Sequence, residues 1–188
     1  IDAALRWIEG MYSINGRGNW HDELWETSWA LMAVLRVGRI LPGLDLVAPL
    51  AWVRGLQDTR GAVIAPHYTA YLLMISWLSS KVDLPHEARI GLRESAERAA
   101  NFLFEELDTS ASNKLWTGEA WSNGQILWAL CVTNGDHFTT TRVEKVVQWF
   151  ESTQSAEGNW SDTEDTASAL IGLLALLRVV VISDGTKE

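Results

Sequence analysis

Four times along this chain an aromatic-anchored helix runs into a turn containing Gly or Asn, and then into an apolar helix opening on Thr or Ser. The anchors are Trp7, Trp52, Phe102 and Trp149, at intervals of 45, 50 and 47 residues, and five positions after each stands Tyr12, Gln57, Leu107 or Gln154. The second helices carry Thr27, Thr69, Ser122 and Thr166, at intervals of 42, 53 and 44. One helical hairpin cannot bury its apolar face alone, so a period of this length means hairpins stacked on one another. The pattern predicts an all-α domain of eight helices in four hairpins, covering residues 1–188 as one unit.

The expected helices span 2–12, 22–37, 46–57, 66–81, 85–107, 119–133, 142–154 and 162–182. Thr141 with Glu144, and Ser161 with Glu164, have capping-box spacing. Gly61 and Gly158 fall in turns, and the sequence around Leu41-Pro42-Gly43 reads as an irregular loop. No sustained alternation of period two occurs, so no sheet is expected. The even-numbered helices are more apolar and predict an inner layer. In the last of them Leu170, Leu173, Leu174 and Leu177 are expected to form a buried stripe. Trp7, Trp52 and Trp149 are expected to clamp neighbouring hairpins.

A net charge of −9 argues against nucleic acid and against an anionic membrane as partners. A single Cys rules out an internal disulfide and fits a cytoplasmic, reducing setting. The apolar run 167–182 is broken by Ser168, Gly172 and Arg178, and reads as a buried helix without stable membrane insertion. The chain opens on Ile1 inside an apparent helix, which reads as a piece cut from a longer protein.

The segment Gln154-Ser-Ala-Glu-Gly158-Asn-Trp160 has the form Q-x-x-x-G-x-W. Gly18-Asn19-Trp20 and the pair Gln57 and Gly61 are weaker copies. On these motifs the chain resembles the repeat domains of terpene cyclases and protein prenyltransferases. The resemblance implies an α/α toroid, here incomplete or open, whose inner helices aim their N-termini at a central cavity. It would bring Glu26, Tyr68, Trp121 and Asp165 near one another. Asp162-Thr163-Glu164-Asp165-Thr166-Ala167 is similar to the D-x-D-D-T-A motif of class II terpene cyclases, which protonate an alkene or epoxide. The resemblance makes Asp162, Glu164 and Asp165 candidate catalytic acids, with Glu164 standing where the donor Asp belongs. Crowded carboxyls in a dry site raise one another's pKa, and aromatic faces such as Trp25, Trp29, Tyr68 and Trp121 would stabilise a cation. The same three acids also suit a helix start on dipole and capping grounds alone, and this bland reading is the favoured one.

Candidate ligand-binding residues are Trp25, Glu26, Trp29, His67, Tyr68, Glu119 and Trp121. The prenyltransferase zinc element is missing, because Ala129 and Leu130 precede Cys131, and four scattered His make no ligand set. No metal, cofactor or phosphate loop is implied. Completeness favours a non-catalytic module of a larger protein that binds a partner or an apolar, isoprenoid-like ligand, for example as a sensor. The alternative is part of a class II terpene cyclase. Ile1, Leu5, Trp7 and Ile8 at one end, and Val179, Val180, Val181 and Ile182 at the other, are no polar caps. The terminal helices are therefore expected to meet the parent protein or a second copy.

Overall fold

The computed structural model describes residues 2–15, 19–20, 23–38, 44–111 and 113–185. Ile1, Gly18, His21, Asp22 and the predicted loop at 41–43 lie outside the described residues. The described chain is all-helical: α1 Asp2–Asn15, α2 Leu24–Val37, α3 Val47–Gly55, α4 Pro66–Ser79, α5 His86–Thr109, α6 Ala120–Asn134, α7 Thr140–Thr153 and α8 Thr163–Gly185. A 3₁₀ turn at Gly135–His137 follows α6, and no strand forms among the described residues beyond a bridge between Gln57 and Val63. Two caps differ from expectation. Thr139, not Thr141, caps α7 by accepting the Arg142 N–H. At α8 the cap is Asp162, whose carboxylate accepts the Asp165 N–H at 3.0 Å, rather than Ser161 with Glu164.

The chain divides into compact units at 1–99 and 100–188, with α5 running across the division. In the first unit α4 is buried without a break from Thr69 to Ile75, and α2 buries Leu24, Thr27, Ser28, Leu31 and Leu35 at helical spacing. In the second unit α6 supplies Ile126, Leu127, Ala129 and Leu130 to the core.

α8 departs from its expected role. Leu170, Leu174 and Leu177 are 48%, 57% and 57% exposed, and the buried residues of the helix include Ala169, Gly172 and Leu176. The reason lies in the contact with α6. A Cβ on Gly172 would come within 2.5 Å of the Gly124 carbonyl oxygen, so these helices meet backbone to backbone. The small residues, not the leucines, define the packed side. The stretch Thr163–Ile182 is, by length and composition, long and apolar enough to cross a membrane, and 17% of its most apolar window is buried.

A recurring lock explains why the hairpins are alike. Thr27 Oγ1 accepts the Trp20 N–H at 3.0 Å and donates to the Trp20 carbonyl at 3.2 Å. Thr166 does the same with Trp160, at 3.0 and 3.2 Å. Thr69 accepts the Val63 N–H at 2.9 Å. In the third hairpin the locking residue is Asn123, one position beyond the expected Ser122. Its amide oxygen accepts the Thr117 N–H at 3.0 Å, and its amide nitrogen donates to the Thr117 carbonyl at 3.0 Å. The Ser122 hydroxyl is buried with no partner. With this register, the residues just before the lock are Glu26, Tyr68, Ser122 and Asp165.

Buried indoles tie three of the four turns to the helix before them. Trp20 donates to the Ile8 carbonyl at 2.9 Å, Trp116 to Leu103 at 2.7 Å and Trp160 to Phe150 at 3.0 Å. Gln57 and Gln154 close their turns by donating to the carbonyls of Gly61 and Gly158, at 3.0 and 2.7 Å. Those glycines take φ of +100° and +88°, conformations that a side chain would strain. Trp149 is buried as expected of a clamp and Trp52 is half-buried, whereas Trp7 is 67% exposed, unlike the clamp expected of it.

Candidate functional site

The candidate residues fall into two groups, one in each unit. The first group forms on α2 and α4. The Trp20–Thr27 lock fixes where α2 begins, which places Trp25, Glu26 and Trp29 together on its accessible side. Trp25 and Trp29 lie 5.8 Å apart between ring centroids, and each lies 5.8 Å from Tyr71 on α4. His67 and Tyr68 join the same cluster, with centroids 6.0 and 5.9 Å from Tyr71. Tyr71 is the hub, yet the sequence reading did not single it out. Its signal was there, since it follows His67 by four residues and Tyr68 by three on one helix face.

Beside this cluster opens a cavity of about 500 Å³ between α1 and α2. Trp7, Ile8 and Met11 form its α1 wall, Trp25, Glu26 and Trp29 its α2 wall. Ala30 and Ala33 keep the α2 side shallow, and Trp20 lines it too. Trp7 at 67%, Trp29 at 43% and Trp25 at 36% exposure are large aromatics left accessible beside one hollow.

The second group gathers at the start of α8. Asp162 is engaged as the helix cap, and its own carbonyl accepts from the Thr166 hydroxyl at 2.7 Å. The Asp165 carboxyl is held above the usual carboxylate range, chiefly by burial and then by the Asp162 charge. The Trp121 backbone and the Ser161 hydroxyl, by hydrogen bonding to it, pull the other way, and the Glu119 charge adds a small upward push. Glu119, Trp121 and Asp165 therefore do interact across the α6–α8 contact. Glu164 is exposed. Next to these residues lies an open hollow of about 610 Å³ bordered by Asn159, Ser161, Asp162 and Leu170. Of the three acids, Asp165 is half-buried, whereas Asp162 and Glu164 are exposed.

The remaining thiol is chemically quiet, because burial pushes Cys131 up to about 12. Among the described residues no cluster of three His, Cys, Asp or Glu is placed to hold a metal ion. Comparison with known protein families, with curated proteins and with solved structures finds no match to the chain.

Proposed function

We propose that this chain is a non-catalytic helical-hairpin module, similar to the repeats of terpene cyclases and prenyltransferases, whose first unit binds an apolar, isoprenoid-like ligand. The observation that carries the reading is the hollow of about 500 Å³ flanked by the exposed indoles of Trp7, Trp25 and Trp29. Concave, mostly apolar sites of a few hundred Å³ with one polar group are the usual form of small-molecule sites. Large aromatics are normally covered by packing, so three accessible ones around one cavity favour a ligand. The acid cluster supports the non-catalytic half of the proposal. Asp162 is occupied in capping, and Glu164, standing where the motif would put its proton donor, is exposed to water.

Calorimetric titration with farnesol is the test, with Trp29→Ala as the control. Saturable binding that Trp29→Ala weakens at least about tenfold is expected, because large aromatics carry much of the energy in such contacts. A titration without saturable binding would refute the reading. The second reading, proton-initiated cyclisation, draws on the raised pKa of Asp165. Incubation with squalene, followed by mass spectrometry, is expected to show no cyclic product. Turnover abolished by both Glu164→Gln and Asp165→Asn would put the cyclase reading first.

A further inference from the structure

Resting on the binding reading above, we infer that the ligand of the first-unit cavity is a cation: an alkylammonium amphiphile, its charged head at Glu26 and its chain along the indoles. Among the described residues the cavity has one ionisable wall residue, and it is an acid. Glu26, Trp29, Ala30 and Ala33 stand at i, i+3, i+4 and i+7 on α2, so the carboxylate begins a stripe that continues as indole and then as small side chains. Trp25 and Trp29, whose rings lie 5.8 Å apart, line the same cavity as Glu26.

Two attractions then point at one kind of head group. Indole faces attract ammonium groups through the ring quadrupole, most strongly where water is displaced. A carboxylate adds a full opposite charge at short range. Among the described residues Glu26 forms no ion pair, and its side chain is exposed at the cavity wall. An anionic head would be repelled there, and a neutral one would cover the carboxylate without compensating it. Ile8, Met11, Ala30 and Ala33 supply the apolar lining for the chain of the ligand. The size of about 500 Å³ suits a small amphiphile rather than a protein segment. The net charge of −9 draws cations toward the molecule as a whole.

The test is calorimetry of the full chain at low ionic strength with three probes of matched length: octyltrimethylammonium, 1-octanol and octanoate. The ammonium is expected to bind about tenfold more tightly than the alcohol, as a cation–π and charge contribution of this kind would give. Octanoate should bind most weakly. Added salt should narrow the gap, and Glu26→Gln, a change at an exposed position, should reduce the preference to within about twofold. Equal affinity for ammonium and alcohol, or a preference that survives Glu26→Gln, would overturn the charge assignment while leaving an apolar site in place. Failure of all three probes to bind would remove the cavity reading as well.

Discussion

At the scale of single residues, Ser122 and Asn123 give the sharpest test of how the repeats line up. Asn123 holds both the N–H and the carbonyl of Thr117, while the Ser122 hydroxyl is buried without a partner. Asn123→Ala should lower stability by about 1–2 kcal/mol, because it removes the partner of two half-buried backbone groups. Ser122→Ala should be neutral or slightly stabilising, because it removes an unsatisfied polar atom. Chemical denaturation of the two variants checks this, and the opposite order would restore Ser122 to the lock. The sequence pointed to Ser122 because Ser resembles Thr in chemistry. An Asn amide imitates a Thr hydroxyl by accepting and donating at once, and it spans the same six residues from Thr117 as Thr69 does from Val63 and Thr166 from Trp160. Trp116 was also missed: it does the work of Trp20 and Trp160, but its copy has Leu107 where the last has Gln154. Asp165 offers a pH test at this scale. Its folded pKa lies above the ordinary value, so the ionised form is disfavoured on folding, and stability falls as pH rises through the window between the two. Asp165→Asn, which mimics the protonated acid, should match the wild type in acid and gain on it toward neutral pH, as thermal melts across that range would show.

Between elements, the tie between α5 and α7 is the best-defined polar contact. Arg142 grips Asp108 with both arms, at 2.6 and 2.8 Å, donates to the His137 carbonyl, and rests over the Phe104 ring at 4.4 Å. That hydrogen bonding holds Asp108 below the usual carboxylate range. The sign follows: the contribution is present above the ordinary carboxylate pKa and fades as pH falls through the folded one. Asp108→Asn should cost about 1 kcal/mol or less at neutral pH, since Asp108 is 48% exposed and partly screened. The cost should vanish in acid, and a constant deficit across pH would mean that charge is not its cause. The α6–α8 contact is of another kind. Gly172→Val should loosen it severely, because the added atoms meet the Gly124 backbone and no side chain can move aside. Helix positions were legible from periodicity, caps and glycines, and all eight appear within a few residues of expectation. Which face of α8 packs was not. Leucines every three or four residues announce an apolar stripe but do not say what lies opposite, and here two glycines decide it.

For the molecule as a whole, the exposed side of α8 is the largest departure from what the sequence promised. Leu174 and Leu177 face water in this chain. Leu174→Glu with Leu177→Glu should change stability by no more than about 0.5 kcal/mol each, the usual range for exposed positions, and should improve solubility. Cooperative loss of structure in that variant would instead mean that the side is packed. The candidate site was legible in part: Trp25, Trp29, His67 and Tyr68 do cluster, and the sequence could name them because each stands near the start of an apolar helix. The cavity beside them was not legible. It depends on Trp7 being left exposed and on the small side chains of Ala30 and Ala33, which only the packing of α1 on α2 reveals. The central claim is that this indole-walled hollow takes an apolar ligand, and the direct measurement is the ¹H–¹⁵N spectrum of the tryptophan side chains during titration with farnesol. With the indole signals assigned by single Trp→Phe changes, those of Trp7, Trp25 and Trp29 should shift saturably, while those of Trp116 and Trp160, bonded to helix carbonyls, should stay in place. Indole signals that never move, or that move only at Trp116 and Trp160, would contradict it.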